Sequence, residues 1–397
     1  MTADSPLDFS FSTLLRQPHV RELFSILNTH GIDARIVGGA VRDALLGIPI
    51  HDIDMAVATD PLRVSAILKA YAPVIPTGLA HGTVTVIFPG NTFQLTSLRR
   101  DTATFGRHAD VQFDMSFEED AKRRDFTINA LYLDQEGHLF DYFSGQEDLK
   151  KGLIRFIGDP MARIQEDYLR ILRYFRMQTV YGSGLWHEES LKACSLLAKG
   201  VDILSRERIR YEFFKIVTHL RAPFVIATMD KKGILKHVSG QADVTTFQKY
   251  SEAEKRYALT SSVVHRLYTL YHEKTLSAMT KEFVLTKNEQ KLWSLIMRCG
   301  KENPSETELL YFYGKDFAQK FFILKETLLE ETIADRMTKL NALELREFPL
   351  EASDFQAIGL SGKALGHALS KAKKYWCEKD FHPTRNDLLR KIKSDKT

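Results

Sequence analysis

The sequence predicts an α+β head, a small sheet with helices, followed by helix to the end of the chain. Two observations carry this. Within the first 140 residues, short segments alternate apolar and polar side chains with a period of two, as half-buried strands do. From about residue 160 the apolar residues recur every three to four positions, the spacing of a helix face. A mixed head joined to an all-helical remainder follows from that switch.

Residues 34–37 (ARIV) read as a first strand, Gly38-Gly39 as a turn and residues 40–46 as a short helix. Residues 52–58 (DIDMAVA), 83–88 (TVTVIF) and 92–98 (TFQLTSL) read as further strands. Residues 101–117 show little periodicity and read as a long mobile loop, the kind of segment that is usually functional. Residues 128–134 and 138–142 flank Glu136-Gly137 as a hairpin. Pro160 opens a helical pattern, and Ser205 stands as an N-cap before another at 205–220.

The 44% apolar content supplies a core without disulfide or metal staples. The net charge of +4 is too small to establish a nucleic-acid partner by itself, although the C-terminal segment is locally basic. Cys194, Cys299 and Cys377 are far apart and form no C-x-x-C. That argues against a zinc site or disulfide framework and for a reducing, cytoplasmic location. No apolar run approaches the roughly 20 residues that span a bilayer, so no membrane partner is expected. The N-terminal stretch contains acids and lacks a basic segment followed by an apolar one, so neither a secretory signal nor a transit peptide is expected.

Four motifs carry chemistry. The first is Asp52-Ile53-Asp54, whose carboxylates share one face of a strand, about 6.6–7 Å apart at Cα. Two such groups hold hard cations such as Mg²⁺, which activate an attacking hydroxyl and stabilise leaving pyrophosphate. Alone, the pattern also fits a solvated strand face. The second is IVGGAVRDALLG, residues 36–47, where Gly38 and Gly39 let a phosphate approach the backbone and Arg42 adds charge. The competing reading is a plain βα turn with a local Arg42–Asp43 ion pair.

The third is RRDFTINA, residues 123–130: Arg123 and Arg124 bring positive charge, and Asp125 and Asn129 suit a ribose 2′-OH. The fourth is EDYLRILR, residues 166–173, with Asp167 and Arg170 at i, i+3 on one helix face and Glu166 and Arg173 in support. A carboxylate that accepts beside a guanidinium that donates matches the amine and ring nitrogen of cytosine and adenine, and mismatches uracil and guanine. A wrong base leaves buried polar groups unpaired, at about 1–3 kcal/mol each. The competing reading is a surface salt bridge.

Together these motifs resemble the tRNA nucleotidyltransferases, or CCA-adding enzymes, of the bacterial and eukaryotic class that includes bacterial poly(A) polymerases. GGAVRDALLG with HDIDMAV, RRDFTINALYLD, DYFSGQEDLKKGLIRFIGDP, RIQEDYLRILRYFRM and SRERIRYEFFKI follow the family's order over residues 36–217.

The resemblance implies a catalytic head (1–140) with Asp52 and Asp54 as catalytic metal ligands, and a neck (141–220) that recognises the base. A helical body (221–345) and a tRNA-binding tail (346–397) would follow. It places Gly38, Gly39 and Arg42 at the phosphates, and Arg124, Asp125 and Asn129 at the ribose. It makes Asp167 and Arg170 the template for the base. Residues 101–113, with Arg107 and His108, resemble the flexible loop that accompanies the switch from C to A addition. Residues 358–376 loosely resemble a tail element, with Lys363, Lys371, Lys373 and Lys374 suited to RNA phosphates; a solvated amphipathic helix fits that stretch as well.

The implied partners are the tRNA 3′ end, CTP and ATP, with Mg²⁺ as cofactor. Gln94 departs from the family, which usually places an acidic residue there. The open alternatives are a poly(A) polymerase, a partial enzyme adding only CC or only A, and a catalytically weakened RNA-binding protein.

Overall fold

The computed structural model describes residues 6–394 except 51, 79–81, 99, 106–107 and 113–115. The chain divides into two compact units, Met1–Leu204 and Ser205–Thr397.

Unit 1 is built on a seven-stranded sheet. Its strands are β1 (Ala34–Val37), β2 (Ile53–Val57), β3 (Val74–Gly78), β4 (Thr83–Phe88), β5 (Asn91–Ser97), β8 (Leu131–Leu133) and β9 (Leu139–Asp141), in the order β3-β4-β5-β2-β1-β8-β9. Only β2 and β5 run parallel; every other pair is antiparallel.

Strand alternation gives the sheet two different faces. Ile36, Ile53, Met55, Val57, Val84, Val86, Phe93 and Leu95 point into one core with α1 (Pro6–Leu15), α2 (Pro18–Thr29), α3 (Gly39–Leu45) and α4 (Pro61–Leu68). The opposite face has a smaller cluster, Val37, Ala56, Tyr132, Phe117 and Ala121, beneath α5 (Phe117–Lys122). Asp54 and Gln94 lie exposed on that second face. A one-residue slip of β2 would bury both aspartates in the main core, so the apolar pattern fixes the register that exposes them.

Two sequence expectations need correction. Residues 101–117 are not wholly irregular: β6 (Arg100–Phe105) and β7 (His108–Gln112) pair as a separate two-stranded hairpin. The sequence there lacks the apolar alternation that strand reading relies on. Arg107 lies outside the described residues, and His108 begins β7. Strand β3 went unrecognised because Pro76 interrupts it; β3 is an edge strand, where proline is tolerated.

The rest of unit 1 is helical: α6 (Gly145–Lys151), α7 (Pro160–Glu166), α8 (Leu169–Tyr181) and α9 (Glu188–Leu196). Among the described residues of unit 2 every regular element is a helix. Its interior includes a buried Glu254–Arg266 ion pair at 2.7 Å. Its C-terminal part packs Leu350, Phe355, Trp376, Phe381 and Leu388 around helix Gly362–Glu378.

Candidate active site

The exposed sheet face of unit 1 gathers three of the four motifs. Asp52 immediately precedes β2 and Asp54 lies within it, both exposed. Neither side chain makes a hydrogen bond or ion pair with another described residue. Burial of its surroundings raises the Asp54 pKa, Arg124 opposes that rise, and the Asp52 charge adds to it. Two neighbouring carboxylates with idle oxygens and one reluctant to ionise alone form a donor set that fits a divalent cation.

Strand β1 ends beside Asp54, with Val37 opposite it in register. The chain then turns at Gly38, whose φ of 75° is the left-handed conformation that favours glycine. Arg42, on α3, is buried and fully engaged. It pairs with Asp43 at 3.0 Å, donates to Asn129 Oδ1 at 2.5 Å and to the Tyr181 hydroxyl at 2.6 Å, and lies over the Tyr181 ring. The local Arg42–Asp43 pair, the competing reading of the sequence, is therefore formed.

RRDFTINA forms a short 3-10 turn, Thr127–Asn129, between α5 and β8. Asp125 is buried, accepts from Asn129 Nδ2 at 3.0 Å and from Arg173 Nε at 2.7 Å, and thereby joins α8 to this turn. Burial would raise the Asp125 pKa, but Arg173, Asn129 and the Phe126 amide outweigh it and hold it low.

The fourth motif differs from the expectation. Asp167 and Arg170 do not share one continuous helix: α7 stops at Glu166, Asp167 is extended (φ −157°), and α8 begins at Leu169. The Asp167 carboxylate accepts the Leu169 amide at 3.1 Å, an Asx-turn bond by which aspartate competes with helix continuation. The Tyr168 ring lies flush on Gly200, where a Cβ would stand 1.9 Å from the ring. Arg170 pairs with Glu166 and donates to the Arg163 carbonyl at 2.7 Å. The break thus sets Asp167 and Arg170 at its two sides.

Asp120 and Tyr132 were missed by sequence reasoning. The Asp120 carboxylate, 1% exposed, pairs with Arg123 and Arg124 and accepts the Tyr132 hydroxyl at 2.7 Å. The signal was present: Asp120 precedes the two arginines by three and four residues, helical pairing distance. A further acidic group, Asp134, Glu136 and His138, lies at the β8–β9 hairpin turn, with His138 and Asp134 already bonded to each other at 2.9 Å.

Comparison with known proteins shows the family. Residues 34–155 match the family model of the Poly A polymerase head domain. The mouse mitochondrial CCA tRNA nucleotidyltransferase 1 is 30% identical over 412 residues, covering 97% of this chain and 94% of that protein. The chain belongs to the CCA tRNA nucleotidyltransferase family. A CCA-adding enzyme of Oceanobacillus iheyensis is 41% identical over 196 residues, 49% of this chain and 48% of its own length. The solved Bacillus stearothermophilus CCA-adding enzyme in complex with CTP superposes with a TM-score of 0.75 at 24% identity, over 96% of this chain and 98% of that one, and shows the shared fold. Nucleotidyltransferases of this family use a divalent metal.

In unit 2, Lys363, Lys371 and Lys374 lie exposed on helix Gly362–Glu378, while Lys373 is half-buried over the Tyr311 and Phe348 rings. Lys374 is 3.9 Å from Glu308. A groove of about 640 Å³ runs between this helix and Arg385–Ser394. No helix among the described residues is long and apolar enough to cross a membrane.

Proposed function

We propose that this chain completes the 3′ end of tRNA by adding C, C and A from CTP and ATP, releasing pyrophosphate at each step. The observation that carries the reading is the pair Asp52 and Asp54, whose exposed carboxylates have no partner among the described residues. Support comes from the nearly full-length relative named for CCA tRNA nucleotidyl transfer, and from similarly folded enzymes solved with CTP, ATP and tRNA.

In this reading Asp52 and Asp54 hold Mg²⁺. When bound, Mg²⁺ supplies activation of the RNA 3′ hydroxyl and charge stabilisation of the leaving pyrophosphate. The Gly38–Gly39 turn leaves room for the triphosphate, and Arg42, fastened to Asn129 and Tyr181, holds that turn in place. Asp125 and Asn129 meet the ribose, and Asp167 and Arg170 meet the base edge, with Glu166 and Arg173 fixing them. The hairpin β6–β7, with Arg107 and His108, is the element that adjusts between C and A addition.

We assign residues 1–140 to the head, 141–220 to the neck, 221–345 to the body and 346–397 to the tail, whose Lys363, Lys371, Lys373 and Lys374 face RNA phosphate. The buried thiols of Cys194, Cys299 and Cys377 are unpaired, which suits a reducing compartment. The cytoplasm is our assignment, to be checked by fractionation because the mouse relative is named as mitochondrial.

The test uses purified protein, tRNA lacking its 3′ end, and the four nucleotides singly and together. Two C followed by one A is expected. Long A tracts on varied RNA would make it a poly(A) polymerase, and no incorporation would remove the assignment.

A further inference from the structure

Arg124 is held in an unusual way. The Asp120 Oδ2 accepts from its Nε at 3.1 Å and from its Nη2 at 3.0 Å, and the Tyr132 hydroxyl lies 3.0 Å from the same Nε. The other oxygen of Asp120 takes Arg123. Tyr132 donates its own proton to Asp120 at 2.7 Å, so the carboxylate, hydroxyl and guanidinium close a ring of hydrogen bonds. Nη1 is left over. Among the described residues it has no hydrogen-bond partner, and it stands 3.6 Å from where a Cβ on Gly38 would lie. One donor of a fixed guanidinium thus lies beside the glycine turn.

We infer that Asp120 and the Tyr132 hydroxyl are positioning groups that aim Arg124 Nη1 at the triphosphate of the incoming nucleotide. The inference rests on the nucleotidyl-transfer reading and changes one part of it, moving Arg124 from the ribose to the phosphates. Three facts favour phosphate. A guanidinium fixed on one edge presents its remaining N–H groups without further loss of side-chain freedom. The charge lies beside the turn that leaves room for phosphate. The Asp120 carboxylate neutralises one of the two arginines, so a single net positive charge faces the site. Because every nucleoside triphosphate carries the same phosphates, the contribution is independent of base.

The test compares the parent, Asp120→Asn and Tyr132→Phe in steady-state kinetics on tRNA lacking its 3′ end, together with inhibition and thermal stabilisation by inorganic pyrophosphate. Asp120→Asn is expected to raise KM for CTP and ATP together by about tenfold, and Tyr132→Phe, which deletes one oxygen and keeps the ring, by about threefold. The inhibition constant of pyrophosphate should rise by the same factors, and the preference for CTP over UTP should stay at the parent value. A fall in kcat or melting temperature with unchanged KM and unchanged pyrophosphate affinity, in both variants, would show a merely structural role and overturn the inference. Should Asp120→Asn fail to fold, Tyr132→Phe decides alone. Failure of the parent to incorporate C and A would instead strike the functional reading, whereas the pyrophosphate-induced rise in melting temperature tests the clamp without any RNA.

Discussion

Asp54 and Gln94 stand in register on the parallel pair β2–β5, both exposed on the same face of the sheet. An amide oxygen can ligate a metal, but it brings no negative charge, and metal affinity follows the number of charged ligands. Gln94→Glu should therefore lower the Mg²⁺ needed for half-maximal activity by roughly three- to tenfold, with base choice unchanged. A magnesium titration of parent and variant at saturating CTP reads this directly. Superimposable curves would mean that Gln94 only bonds across the sheet and that two aspartates suffice.

The same geometry sets function against stability at Asp54. Asp52→Ala or Asp54→Ala should abolish nucleotide addition and leave RNA binding nearly intact. Asp54→Asn should also raise the metal-free melting temperature at pH 7 slightly, because it removes a carboxylate whose pKa is raised by desolvation at the sheet face and by Asp52, more than Arg124 lowers it. The direction follows from linkage: a carboxylate raised above its ordinary value of 3.8 binds more protons folded than unfolded, so stability falls as pH rises through that window. Calorimetry in chelator tests it. A variant that melts below the parent, or turns over near normally, counts against the assignment.

How much of this was legible depended on what each residue answers to. The aspartate pair and glycine turn were readable because strand alternation and a positive-φ turn are local properties. Gln94 stood out only against the family pattern, and the pairing of β2 with β5 supplies its physical meaning. Asp120 was legible in part, since its spacing to Arg123 and Arg124 is helical, but nothing local shows that it is buried or that Tyr132 closes over it. The break at Asp167–Tyr168 was only partly legible: an aspartate that bonds the backbone two residues on is a local signal, but the seat of the Tyr168 ring on Gly200 is a contact across more than 30 residues. Strand β3 and the β6–β7 hairpin were hidden for a related reason: an edge strand with proline and an isolated ribbon lack the apolar alternation that strand reading requires.

Base selectivity provides a test of the broken helix. With Asp167 and Arg170 flanking the break, each presents its side chain from a different backbone conformation. Asp167→Ala and Arg170→Ala should each reduce the preference for CTP over UTP and for ATP over GTP by about ten- to hundredfold, the range for leaving one buried polar group unpaired. Glu166→Gln should do so more weakly, since it only loosens Arg170. Single-nucleotide incorporation with each of the four triphosphates measures it. Parent-level selectivity in both alanine variants would make the pair structural.

The Asp125–Arg173 pair makes the clearest prediction about stability. Asp125 is buried, and its carboxylate bonds Asn129, the Phe126 amide and Arg173 at once. Asp125→Asn removes the buried negative charge that pairs with Arg173 and should destabilise the Thr127–Asn129 turn and α8 by about 2 kcal/mol at pH 7. Because its folded pKa lies below the ordinary value, the parent's advantage is complete above about pH 5 and is lost as pH falls through that lowered pKa. The gap between parent and variant should therefore be constant from neutral pH down to about 5 and shrink below it. Amide hydrogen exchange followed on α8 in the full chain isolates this region from unit 2, where a single global melt would mix the two. Protection of the α8 amides that is identical in parent and variant at pH 7 would show that packing alone, through Ile171, Leu172 and Phe175, holds the helix in place.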